Sequence, residues 1–127
     1  MVKVKRIYDS PSKDDGKRIL VDRLWPRGIK KEKAMLHEWL RDIAPSTELR
    51  KWFSHDPSRW QEFEKRYRKE LLQKPVLLER LKEEANKGTI TLLFGARDSE
   101  HNNAVALKSA IIGKRQDKVR RNRSPRG

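Results

Sequence analysis

Two apolar runs near opposite ends of the chain constrain its fold more than anything else in it. Ile19-Leu20-Val21 is the first, and Thr89-Ile90-Thr91-Leu92-Leu93-Phe94 is the second. Each is short, rich in aliphatic or β-branched residues and flanked by polar or turn-forming ones, the pattern of a buried strand. Between them the apolar residues recur at helical spacing. Strands buried on both faces and separated by helical stretches make an α/β sheet. The second run is the more apolar and is expected at the centre.

Val2, Val4 and Tyr8 frame a further alternating stretch with Lys3, Lys5 and Arg6, which reads as a first strand near an edge. The second strand is expected over about Arg18 to Asp22. The loop between them contains Pro11 and Asp14-Asp15-Gly16, and it is short for a parallel crossover. Local rules favour an antiparallel pair and leave the choice open. Met35, Leu36, Trp39, Leu40 and Ile43 then predict a helix ended by Pro45. Ser46 or Thr47 caps a short helix with Leu49, Trp52 and Phe53. Asp56-Pro57 opens another with Trp60, Phe63, Tyr67 and Leu71 on one stripe. Pro75 starts a helix that Gly88 stops, and a last one carries Ala104, Leu107 and Ile111. The expected architecture is a small three-stranded, mainly parallel sheet flanked by about five helices. It forms a single domain over residues 1–113, followed by a basic tail over 114–127 that is expected to be disordered.

Among 127 residues there is no Cys, which excludes thiolate metal sites, Cys nucleophiles and disulfides. Three scattered His residues make a fixed zinc site a poor expectation, and no cofactor is implied. No leader and no long apolar run is present, so a cytoplasmic protein without membrane contact is expected. The formal net charge is +14, of which the short tail carries +6, with seven Lys and Arg against Asp117 alone, and residues 1–113 carry +8. Such a field attracts anionic small molecules or nucleic acid. Charged residues make up 39%, rich in Lys and Glu, a composition that leans towards a thermophile source.

Chemistry-bearing residues gather after two of the strands. Asp22, Arg23, Trp25 and Arg27 follow the first apolar run, and the carboxyl edge of an open α/β sheet is where ligands bind. Arginine forks bind phosphate or carboxylate, and an aspartate accepts hydroxyl protons or acts as base. For Asp22 alone an internal ion pair is the simpler reading; for the set together a ligand is. Trp25 offers a stacking face, although a Trp before Pro more often anchors a core. The second group is Arg97, His101, Asn102 and Asn103, in a turn leading into a helix. His101 is the best general acid or base there, since its ordinary pKa is about 6.5. Tyr8 and Asp9 join if the first strand runs parallel to the second. His37 is expected on a helix in a surface groove, and His55 in a turn. The expected function is an anion pocket lined by these residues, for a nucleotide, sugar phosphate or nucleic-acid end. If catalytic, it would be a metal-independent hydrolase or transferase with Asp22 and His101 moving protons. The alternative is a non-catalytic nucleic-acid-binding module.

Three segments stand out: Lys5-Arg6-Ile7-Tyr8-Asp9; Ile19-Leu20-Val21-Asp22-Arg23-Leu24-Trp25-Pro26-Arg27-Gly28, continued by Glu38-Trp39 and Ala44-Pro45-Ser46-Thr47-Glu48-Leu49-Arg50-Lys51; and Thr91-Leu92-Leu93-Phe94-Gly95-Ala96-Arg97-Asp98, ending in His101-Asn102-Asn103-Ala104. In these the chain resembles the YeaO-like family of small prokaryotic proteins, a family defined by a domain of unknown function. The resemblance implies an α/β fold and a cytosolic setting, and it implies no established activity or cofactor.

Overall fold

The structure, a computed structural model, describes residues 1–113. The expected tail over 114–127 lies outside the described residues. The strands are β1 (Val2–Arg6), β2 (Lys17–Leu20), β3 (Glu38–Trp39) and β4 (Ile90–Phe94). They form one wholly parallel sheet in the order β1-β4-β2-β3. The helices are α1 (Lys31–Ala34), α2 (Thr47–Phe53), α3 (Trp60–Leu71), α4 (Pro75–Lys87) and α5 (Asn103–Ile112). The α/β class and the number of helices match expectation, although α1 stands where no helix was expected.

The sheet answers a direction the sequence left open and corrects one expectation. First, β1 and β2 are not an antiparallel pair. Both run parallel to β4, which lies between them, so Val4 and Ile19 both register with Leu92. The rule for short connections assumes that consecutive strands are neighbours. Here the central position is filled by a strand from the other end of the domain, and each edge of β4 satisfies one of the early strands. Second, there are four strands among the described residues, because the run from Met35 to Ile43 is not one helix. Met35 takes a left-handed conformation with φ 52 that closes α1, and its side chain is exposed. Arg18 holds that turn: its guanidinium donates to the carbonyls of Ala34 at 2.7 Å and Met35 at 3.1 Å. The chain then pairs with the free edge of β2, where the amides of His37 and Leu40 donate to Arg18 and Leu20. His37 lies outside any helix, and its Nδ1 accepts from the Arg18 amide at 3.0 Å.

Alternation along the strands divides the core in two. Ile19, Val21, Ile90, Leu92 and Phe94 face a large cluster with Phe53, Phe63, Tyr67, Leu81 and Leu107. Leu20, Leu93, Ile7 and Ala34 face a smaller one completed by Trp25, Leu36 and Trp39. Burial of both faces is what permits an all-parallel sheet. The smaller face also carries a buried ion pair, Asp15 with Arg18 at 2.6 Å, joined at its edge by Lys5 at 3.0 Å.

Candidate functional site

All four strands point the same way, so the loops after β1, β2 and β4 leave from one edge. The loop after β2 begins with Asp22, whose carboxylate ties it to the loop after β4. Its Oδ2 accepts from the Gly95 amide at 2.9 Å, and its Oδ1 accepts from Asn103 Nδ2 at 3.2 Å. The same Asn103 amide also donates to the Val21 carbonyl at 2.9 Å. The two groups separated by some seventy residues therefore meet.

Around this junction lies a cavity of about 330 Å³. Of the residues singled out in the sequence, it brings together Asp22, Arg23, Trp25, Arg27, Asn102 and Asn103. Tyr8 also lines it, as a parallel β1 requires, whereas Asp9 does not. Arg97 and His101 lie outside the lining. Arg97 is exposed. His101 is held by Asp98, 2.9 Å from its Nδ1, with its ring edge-on to Trp60 at 5.3 Å.

Backbone carbonyls fix the position of Arg23. Its Nε donates to Pro45 and its Nη2 to Ala44, each at 3.2 Å. That loop is itself anchored by Glu70, which accepts from the Ser46 amide at 2.8 Å and hydroxyl at 2.6 Å. Lys74 donates to the carbonyls of Asp42 and Ala44, and burial there lowers its pKa. On the opposite rim the Tyr8 hydroxyl donates to the Arg27 carbonyl at 2.6 Å, pinning the turn that presents Arg27. Trp25 is both wall and anchor: its Nε1 donates to the Ile29 carbonyl at 2.7 Å, and its ring meets Trp39 edge-on. Asn102 contributes as a scaffold. Its side chain caps α5 at the Val105 amide and donates to the Asp98 carbonyl, so both ends of the amide are occupied.

Four further lining residues come from the helical middle: Arg50, Phe53, His55 and Phe63. Phe53 and Phe63 stack at 4.4 Å and form an apolar wall. Their spacing marks them as core, which they are, and nothing in that spacing distinguishes the edge open to the cavity. His55 reaches the site through an unusual turn. Ser54 and His55 both take positive φ, 46 and 57, without a glycine between them. Arg50, and His55 when protonated, act on Asp22 electrostatically. Burial raises the Asp22 pKa, and the Gly95 amide, the Asn103 amide and those two charges only partly offset it. The site is thus a largely buried acceptor surrounded by guanidinium groups and an imidazole. Among the described residues no group of His, Asp and Glu is disposed to hold a metal ion.

A family described as "Inactive DUF488-N3 subclade" matches residues 1–126. The chain is 45% identical over 106 residues to the uncharacterized protein YeaO of Escherichia coli K12, covering 84% of this chain and 92% of that one. It is 38% identical over 113 residues to the uncharacterized protein Rv3073c of Mycobacterium tuberculosis H37Rv, covering 89% and 95%. No solved structure matches.

Proposed function

The chain belongs to the inactive DUF488-N3 subclade, and from that premise we propose that it is a binding protein whose cavity holds an anionic small molecule without transforming it. The observation that carries this is the convergence of Arg23, Arg27, Arg50 and His55 on one cavity at the carboxyl edge of the sheet. Guanidinium groups held in place before a ligand arrives bind phosphate or carboxylate with little further ordering cost. Arg23 meets that condition, because two carbonyls already hold it. The family's description as inactive favours binding over turnover. So does the position of His101, which lies outside the lining and is engaged by Asp98. A hydrolase or transferase built on Asp22 and His101 together lacks that second group in the cavity.

Titration of the full chain with inorganic phosphate, followed by amide and arginine side-chain NMR, tests the reading. Shifts should concentrate on the loops that hold Asp22, Arg23, His55 and Gly95 and on Arg50 of α2. Arg50→Ala should weaken binding about ten-fold, the worth of one charge-assisted contact. Shifts absent from these positions, or unchanged affinity in the variant, would overturn it.

A second reading rests on a different surface. Lys65, Arg66 and Lys69 are exposed along α3, beside Trp52, whose ring lies under the guanidinium of Arg66 at 4.2 Å. This face suits a nucleic-acid backbone. Binding there would fall steeply with salt and would be weakened by Lys65→Glu with Lys69→Glu, not by Arg50→Ala. Among the described residues no helix is long and apolar enough to cross a membrane.

A further inference from the structure

Asp22 is the exception in its cavity. The other charged side chains lining it are Arg23, Arg27 and Arg50, with His55 when protonated. A carboxylate among them works against an anion unless it serves a different part of the same ligand. Its hydrogen bonding is incomplete in a specific way. A carboxylate offers about four acceptor positions, two on each oxygen. The Gly95 amide fills one on Oδ2, and Asn103 fills one on Oδ1. One position on each oxygen is left, and the group lines the cavity. Gly95 keeps the approach open, since a Cβ added there would stand 3.2 Å from Oδ2.

Two acceptors side by side match a ligand with two adjacent donors. A guanidinium or amidinium ligand would supply such a pair, but the surrounding arginines repel a cation. The donors are therefore neutral, and negative charge sits elsewhere on the molecule, within reach of the arginines. Phe53, Phe63 and Pro26 supply apolar surface against which a ring can lie. A cavity of about 330 Å³ suits one small ligand of this kind.

We propose that the cavity takes a nucleoside monophosphate, with Asp22 accepting two adjacent neutral donors while Arg23, Arg27 and Arg50 meet the phosphate. This rests on the anion-binding reading above and specifies the ligand class. Two parts of a nucleotide carry such a donor pair: the cis-diol of ribose, and the N–H and NH₂ edge of guanine. Adenosine monophosphate has only the first, deoxyguanosine monophosphate only the second, and deoxyadenosine monophosphate neither.

Calorimetric titration of the full chain with these three and with inorganic phosphate tests the proposal. Deoxyadenosine monophosphate should bind at least about ten-fold more weakly than whichever of the other two carries the pair that Asp22 uses. Asp22→Asn should abolish that difference. In the unaltered protein the Asp22 carboxyl carbon signal should move with the favoured nucleotide and not with phosphate, which gives an answer even if the variant does not fold. Equal binding of all three nucleotides would overturn the role of Asp22 while leaving an anion pocket in place. Failure of phosphate and every nucleotide to bind would overturn both readings.

Discussion

Gly16 makes a close backbone approach that a side chain would block. It turns the chain into β2 with φ +63, and a Cβ there would lie 2.2 Å from the Thr89 carbonyl oxygen. That oxygen accepts from the Lys17 amide at 3.0 Å, the bond that starts the pairing of β2 with β4. Gly16→Ala therefore adds both a left-handed penalty and a clash with backbone that cannot move without losing the pairing. It should cost about 3 kcal/mol or more, read as a lower urea midpoint. Replacement of Gly28, which has φ 80 but open space around it, should cost about 1 kcal/mol. Single residues also show how far a site can be read in a sequence. Asp22, Arg23 and Arg27 were legible because they directly follow an apolar run. Arg50 and His55 were not, because only the packing of α2 against α3, and a turn with two positive φ values, carries them to the cavity.

Four of the five helices in the described residues, α2 to α5, declared themselves by local signals, whereas α1 has no side-chain cap and the helix expected over Met35 to Ile43 does not form. Ser46 caps α2, Asp56 opens the 3-10 turn before α3, Pro75 begins α4 and Asn102 caps α5. These signals are local hydrogen bonds and steric rules, so a window of a few residues contains them. Strand β3 has no such signal. Its two residues are strand because β2 has an open edge and Arg18 has already ended α1, both facts about distant chain. The direction of β1 was equally hidden, since β4 decides it. The cap on α5 matters beyond the helix, because that first turn also delivers Asn103 to Asp22. Asn102→Ala removes the bond to the Val105 amide and leaves the Asp98 carbonyl without its partner. A loss of about 1–2 kcal/mol is expected. Hydrogen exchange should accelerate first at the amides of Asn103 to Val105. Acceleration spread evenly over the sheet would mean that the cap does not act locally.

Over the whole molecule, stability depends on pH through two aspartates at the ends of β2 that are shifted in opposite directions. Burial disfavours ionisation at both. At Asp15 the Ser12 amide, Lys5 and Arg18 outweigh burial and hold its pKa below the usual carboxylate range. At Asp22 burial prevails over its donors and the pKa rises. For Asp15 the folded value lies below the unfolded one of about 3.9. Its stabilisation is complete above that value and is lost as pH falls through the lower, folded value. For Asp22 the sign reverses. While ionised it costs stability, and that cost is relieved as pH falls through its raised value towards the unfolded one of about 3.9. Mild acidification therefore relieves Asp22 before it harms Asp15. Below about pH 4 the remaining carboxylates protonate against 32 Lys and Arg, and repulsion adds to the loss. The urea midpoint should hold or rise slightly from neutral pH towards about 4.5, then fall steeply. Asp15→Asn breaks a pair in which both side chains are 4% exposed. Leaving Arg18 buried without its counter-charge should cost about 3 kcal/mol at neutral pH. The acid fall should then become shallower, because the group that titrates there is gone. An equally steep fall in the variant would assign acid unfolding to general charge repulsion instead of to the ion pair beneath the sheet.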